Sequence, residues 1–416
     1  MRSVSNSPRI LYVSSVWPDE TAFGGGLRSS NVLQALQQMG TVEVLVLKDE
    51  AGNSSSLSES SSAPAVSCSL EVTQRPNESL IERIRWTLDP RSDYPNGCGV
   101  GQNALRSVLH SLDEFDLVWF FQLRSPDAFP NAAWRRSVLD IDNLPSMYER
   151  ARLRGGHGSP NRLLTLRRLL SWQRREKLLG DRFNVLAVCS EEDGNYLGRL
   201  GIKVPVHVIP NGFERPLAEP ARSPAAPPRI GFIGLFEYSP NREGMNWFVD
   251  KCWPRIKCEI PEARLRLVGQ DSDGPLKPLG PDIDGLGWVA NPSDEMRTWS
   301  AMVVPLRVGA GTRIKIAHGF SQKCPIVSTT LGAYGYGAVD GREMYLADSA
   351  ERFSKACIQA IRDPEEAAQM AERAWSQFLE RWTWDAIRPR VWAAAEDCLR
   401  KSYEPPLNSH HRIERL

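Results

Sequence analysis

Residues 9–49 read RILYVSSVWPDETAFGGGLRSSNVLQALQQMGTVEVLVLKD. RILYVSSVW (9–17) is an apolar run of the kind a buried strand needs. A loop with three consecutive glycines follows, Gly24, Gly25 and Gly26. SNVLQALQQMG (30–40) spaces its apolar residues as a helix does, and Gly40 stands where a C-cap would. TVEVLVLKD (41–49) is a second strand. Strand, glycine loop, helix, strand is a βαβ unit, and βαβ units build parallel sheets.

The same alternation continues outward. FDLVWFFQ (115–122), SVLDIDN (137–143), NVLAVCS (184–190) and VHVIPNG (206–212) read as further strands. The Ser-rich stretch 53–67 has too few apolar residues to bury and reads as a mobile loop. PLAEPARSPAAPP (216–228) is proline-rich and suits a stiff interdomain linker. After it the pattern restarts. RIGFIGLFEY (229–238), ARLRLVGQ (263–270), AMVVPL (301–306) and CPIVST (324–329) are strands, and MNWFVDKCWPRIK (245–257) is a helix. The expected organisation is therefore an α/β chain of two Rossmann-like domains, 1–215 and 229–385, with parallel sheets facing across a cleft. The linker lies between them, and 386–416 form a C-terminal helix and polar tail. Ligands of open parallel sheets bind beyond the carboxyl ends of the strands.

The totals narrow the function. At 416 residues the chain is long for one core, which favours two domains. A net charge of +1 gives no global electrostatic case for nucleic acid binding. The N-terminus lacks the small-residue cleavage pattern of a signal peptide, and no apolar run approaches the roughly 18 residues of a membrane span. The eight cysteines form no CxxC and read as free thiols of a reducing compartment, so a cytoplasmic location is expected. No Cys or His cluster has ligand spacing, so no metal site is expected.

Chemistry concentrates in VPLRVGAGTRIKIAHGF (304–320). Gly309, Ala310 and Gly311 permit a tight turn that a ligand can approach. Thr312 is positioned to cap the helix that follows, and amides at a helix start attract anions. Arg313 adds a bidentate fork and Lys315 a compact positive charge. Lys315 and His318 share a helix face. The stretch has the makings of a phosphate cradle. A solvated helix start with incidental charges accounts for the spacing equally well, and the P-loop pattern is absent.

The surroundings decide. FGGGLRSSN, VLDIDN, NVLAVCSEED, VHVIPNGFE, FIGLFEYSPNREGMNWF, RLRLVGQDSD and the 304–335 stretch occur in an order that resembles the family 4 (group 1) glycosyltransferases, which have the GT-B fold. The resemblance covers most of the chain. It implies transfer of a sugar, with retained configuration, from a nucleotide-diphosphate sugar to a glycan, lipid-linked or small-molecule acceptor, in polysaccharide or glycoconjugate assembly. It implies no cofactor and no metal. By position, Arg313 and Lys315 contact the donor diphosphate. Gly311 and Thr312 flank that contact, Gly25 and Gly26 let the backbone approach the donor, and Asn241 sits where relatives carry donor contacts. Asp140 and Asp142, at the end of a predicted strand, are candidates to orient an acceptor hydroxyl or act as a base, with Asp142 also able to cap the next helix.

Two departures stand out. The family pattern has two glutamates separated by seven residues; here Ala310 and His318 occupy those positions. A neutral histidine accepts one hydrogen bond and donates one where a glutamate would accept from the nucleotide ribose. The alternative to an active enzyme is thus a catalytically silent nucleotide-sugar or glycan-binding module. The family's GRxxxxKG loop is also replaced, by GLFEYSPNREG.

NRLLTLRRLLSWQRREKLLGDRF (161–183) is basic and apolar by turns. As one helix it either packs its leucines on the sheet with arginines in water, the favoured reading, or makes peripheral contact with an anionic membrane.

Overall fold

The structure is a computed structural model that describes residues 7–19, 24–49, 68–74, 80–90, 98–100, 114–127, 136–155, 161–274 and 280–400. The Ser-rich stretch 53–67, Phe23 and the polar tail lie outside the described residues. The chain divides into two compact units. One comprises Met1–Arg150, Pro160–Ile209 and Arg388–Leu416; the other comprises Ala151–Ser159 and Pro210–Ile387.

The first unit holds strands β1 (Arg9–Ser14), β2 (Thr41–Asp49), β3 (Cys68–Gln74), β4 (Cys98–Val100), β5 (Leu117–Phe121), β6 (Ser137–Ile141), β7 (Val185–Val188) and β8 (Val206–Val208). They form one eight-stranded sheet in the order β4-β3-β2-β1-β5-β6-β7-β8. Every pair is parallel except β3 with β4. Strands β5, β6 and β7 are buried along their whole length, as expected of parallel strands covered on both faces. The end of the chain completes this unit. Within the helix Trp384–Arg400, Trp392 donates to the Ala35 carbonyl at 2.8 Å, and Asp397 pairs with His207 at 2.9 Å.

The second unit holds β9 (Arg229–Ile233), β10 (Arg264–Val268), β11 (Ile283–Gly285), β12 (Ala301–Val304), β13 (Ile326–Ser328) and β14 (Tyr345–Leu346), in the order β11-β10-β9-β12-β13-β14, all pairs parallel. Side chains alternate across this sheet. Phe232 joins a core with Phe248, Leu267 and Phe353, while its neighbour Ile233 joins another with Trp299, Ile316 and Phe320.

Several elements differ from the sequence reading in extent. The first helix spans Gly25–Gln37, so Gly25 and Gly26 are its first residues and not part of a loop. Its C-cap is Gln38 instead of Gly40. The strand read over 9–17 stops at Ser14, whose hydroxyl donates to the Val16 carbonyl and turns the chain. The helix read over 245–257 begins at Ser239 and passes through a π turn, Phe248–Cys252, just before Pro254, which has no N–H to give. The single helix read over 161–183 is two, Arg162–Glu176 and Leu179–Arg182. The first of these buries Thr165, Leu169, Ser171 and Glu176 while leaving Leu163, Leu166 and Leu170 exposed, so its leucines do not simply pack inward. The proline-rich segment lies along the second unit. Ser223 and Ala225 donate backbone bonds to Arg297 and Thr298 at 3.0 and 2.9 Å, and Arg222 reaches the carbonyls of Met296 and Trp299.

Candidate functional site

In the second sheet β9 lies between β10 and β12, so the chain leaves this strand toward β10 and reaches β12 only later. Such a reversal opens a crevice at the carboxyl ends of the strands, where ligands of this architecture bind. The residues after β9 and β12 are the ones the sequence reading selected.

β9 ends at Ile233, and Gly234 follows. An ideal Cβ on Gly234 would lie 2.7 Å from Lys315 Nζ and 2.8 Å from Asn241 Nδ2. Only glycine lets the ammonium and the amide come this close to the strand end. Lys315 donates to Asn241 Oδ1 at 3.0 Å, and its ammonium stands 3.9 Å from the centre of the Phe232 ring. Asn241 is held by its own bond to the Leu235 carbonyl at 2.7 Å. Arg242 donates to the Phe236 carbonyl at 3.5 Å. Lys315 is half-buried and pairs with no carboxylate among the described residues. Burial, and then the charge of Arg313, push its pKa well below the ordinary lysine value.

β12 runs into the turn at Gly309, Ala310 and Gly311. Gly309 has φ of 137° and Gly311 φ of 72°, both in the region that favours glycine. Arg313 is the N-cap of the helix Ile314–Ser321, with extended backbone and no side-chain cap bond; Thr312 is not the cap. Instead Thr312 Oγ1 accepts from Asn211 Nδ2 at 2.8 Å. Arg313 is buried, and its Nη1 folds back onto the carbonyls of Ala310 and Gly311. Its own carbonyl accepts from Tyr336 at 2.8 Å. The turn, Arg313 and Tyr336 therefore brace one another at the positive end of the helix.

His318, one turn deeper, is buried. Its Nε2 bonds Ser293 Oγ at 3.1 Å, and its ring stacks on Phe213 at 4.2 Å with planes 15° apart. Burial pushes the imidazole down to about 4, so it is neutral at ordinary pH.

The first unit has an analogous reversal at β1, between β2 and β5. Gly24, with φ of 72°, turns the chain into Gly25 and Gly26. Gly25 has room for a Cβ only at 3.2 Å from Gln122 Nε2. Tyr12 on β1 bonds Ser29 Oγ at 2.8 Å and fixes the helix on its strand. One turn into that helix, Arg28 is fully buried; it pairs with Asp140 at 2.7 Å and donates to the Ile209 carbonyl at 2.8 Å. Asp140 is thereby engaged in an internal ion pair. Burial pushes its carboxyl up against the pull of Arg28. Asp142, past the end of β6, is half-buried and accepts from the Cys189 thiol at 3.7 Å.

Lys315, Asn241 and Arg313 are thus assembled in one unit, while Gly25, Gly26 and Asp142 belong to the other. Sequence reasoning missed Gly234, Phe232, Ser293 and Arg28. A charged residue inside an otherwise small and apolar helix start was the available signal for Arg28. Ser293 lies 25 residues from His318, and nothing local announces the pair. Among the described residues no group of three His, Cys, Asp or Glu side chains has the arrangement of a metal site, and no helix is long and apolar enough to cross a membrane.

Two parallel Rossmann-like sheets of these orders define a GT-B fold, and solved structures of that class match nearly the whole chain. The sucrose-phosphate synthase of Thermosynechococcus elongatus is 15% identical, with 93% of this chain and 98% of that one covered at a TM-score of 0.66. Anabaena HepE, solved with UDP and glucose, is 14% identical, with 94% and 99% covered at a TM-score of 0.62. Within the second unit, residues 227–363 match the family model "Glycosyl transferases group 1". An uncharacterized 44.6 kDa protein in the cps region of Klebsiella pneumoniae is 21% identical over 261 residues, which span 60% of this chain and 65% of the relative, less than two thirds of its length.

Proposed function

We propose that this chain is a retaining glycosyltransferase that takes a sugar from a nucleoside-diphosphate donor and passes it to a glycan, lipid-linked or small-molecule acceptor. The observation that carries the reading is the pair of cations at the end of the second sheet. Arg313 caps and Lys315 opens the same helix, and the Lys315 ammonium reaches the strand end, against Asn241 and the Phe232 ring, only because residue 234 is glycine. A diphosphate is the ligand that relieves two adjacent, partly desolvated cations. As the sugar–oxygen bond breaks, negative charge grows on the departing diphosphate, and preorganised Lys315, Arg313 and the amides after Gly311 stabilise it. Asn241 orients the ammonium, and Thr312, held by Asn211, flanks the phosphates. Gly25 and Gly26 are assigned to the donor and Asp142 to the acceptor hydroxyl. Neutral His318, oriented by Ser293, is assigned to the ribose.

UDP in the HepE structure makes a uridine nucleotide the first candidate donor, and the cps-region relative favours polysaccharide assembly. The test is calorimetry of nucleoside diphosphates against wild type and Arg313→Ala. Release of nucleotide from the sugar donors is then followed, with the anomer of any product read by NMR. Equal binding by the two proteins removes Arg313 from the site. Tight nucleotide binding without release in the presence of any acceptor would leave a binding module in place of an enzyme.

A further inference from the structure

Seven of the twelve exposed large apolar side chains among the described residues lie on two helices of the first unit, Leu80–Leu88 and Arg162–Glu176. The helices pack through Trp86 and Trp172, edge to face at 5.5 Å. Arg175 lies over the Trp86 ring at 4.8 Å and donates to the carbonyls of Trp86 and Asp89. Leu163, Leu166 and Leu170 recur three and four apart and are 79%, 44% and 47% exposed. Ile81, Ile84 and Leu88 repeat that spacing at 76%, 49% and 70%. At about 100° per residue, each stripe falls on the side of its helix away from the tryptophan that joins the pair.

Charge decides what such stripes fit. Arg162, Arg167 and Arg174 are exposed and, at about 100° per residue, flank the leucines. The one carboxylate of that helix, Glu176, is buried and bonded to the Ser146 amide and the Tyr196 hydroxyl. The chain as a whole is near neutral at +1, so this cationic, apolar face is a local construction. A second copy would bring like charges together. An anionic bilayer offers both complements at once, acyl chains for the leucines and phosphates for the arginines.

We propose that these two helices dock the protein on an anionic membrane surface, with the leucine and isoleucine side chains entering the acyl boundary and the arginines lying at the headgroups. The proposal stands independently of the sugar-transfer reading. The full chain is sedimented with vesicles of phosphatidylcholine alone or in equal parts with phosphatidylglycerol, at low and high salt. Two variants are compared: Leu163→Gln/Leu166→Gln/Leu170→Gln, and Arg162→Gln/Arg167→Gln/Arg174→Gln. Glutamine keeps the helix, and circular dichroism checks the fold. Wild type should bind the anionic vesicles and lose most of that binding at high salt. Removing three arginines should weaken it about a hundredfold. The leucine variant should fail to bind even at low salt. If one variant does not fold, the other and the salt dependence decide. Failure of wild type to bind anionic vesicles, or unchanged binding by folded variants, would overturn the proposal. So would a wild-type dimer in solution that the leucine variant breaks into monomers.

Discussion

Gly234→Ala tests the donor site through a single methyl group. The new Cβ would stand 2.7 Å from Lys315 Nζ and 2.8 Å from Asn241 Nδ2, well inside an ordinary contact, so both groups must withdraw. The backbone itself is not strained, because Gly234 is not among the positive-φ glycines. The Asn241–Leu235 bond of 2.7 Å and the Lys315–Asn241 bond of 3.0 Å are the bonds at risk. A net hydrogen bond contributes about 1 kcal/mol to stability, so folding should lose about 1–2 kcal/mol, a modest fall in a urea midpoint. A charged bond from Lys315 to the ligand is worth about 1.5–3 kcal/mol, so affinity for UDP should fall about 10- to 150-fold. Calorimetry against UDP, with uridine as a control, reads the effect. Uridine lacks the phosphates, and its weaker binding should hardly change. A folded Gly234→Ala protein that binds UDP as wild type does would refute the placement of Lys315 at the diphosphate.

Because burial and Arg313 depress Lys315, a bound diphosphate should raise its pKa, so binding should take up protons increasingly as pH rises through the range where the free lysine titrates; calorimetry across pH in buffers of different ionisation enthalpy that reads no uptake at any pH would contradict it. Glu176 is pushed from an ordinary 4.5 to about 7 by burial, against bonds from Ser146 and Tyr196. The folded state therefore holds a proton that the unfolded state has released, and stability should fall by about 3 kcal/mol as pH rises from 4.5 to 7. Glu176→Gln should flatten that part of the stability–pH curve, measured by urea unfolding, and an unchanged slope would contradict it. Asp140→Asn leaves Arg28 buried without its counter-charge and should cost about 3–5 kcal/mol; thermal unfolding that matches wild type would show the pair to be immaterial. His318→Glu loses the Phe213 stack and should lower the melting temperature while preserving or tightening UDP affinity. A collapse of affinity in the folded variant would end the equivalence with the family glutamate.

Much of the fold was written in periodicity. The apolar runs of β5 and β12 need no context, because parallel strands covered on both faces are apolar along most of their length. Short or polar strands, such as β11 (Ile283–Gly285) and β14 (Tyr345–Leu346), carry too few residues to show a period, and the sheet alone creates them. The site was legible where one local stretch supplied it, as in Gly311, Arg313 and Lys315. It was illegible where chemistry arises from residues remote in sequence, as with Gly234 and Lys315 or Ser293 and His318. The two aspartates of VLDIDN show the limit of strand alternation. The sequence puts both on one face, but only packing tells that Asp140 is consumed by Arg28.

The first unit draws on both ends of the chain, whereas nearly all of the second comes from the unbroken stretch Pro210–Ile387. A ribosome releases residues in order, so the lobe begun first is finished last. Its helix cannot receive the Trp392 indole on Ala35, nor His207 meet Asp397, until residues 384–400 have been made. The later lobe has by then emerged whole and can fold while its predecessor waits for its closing piece.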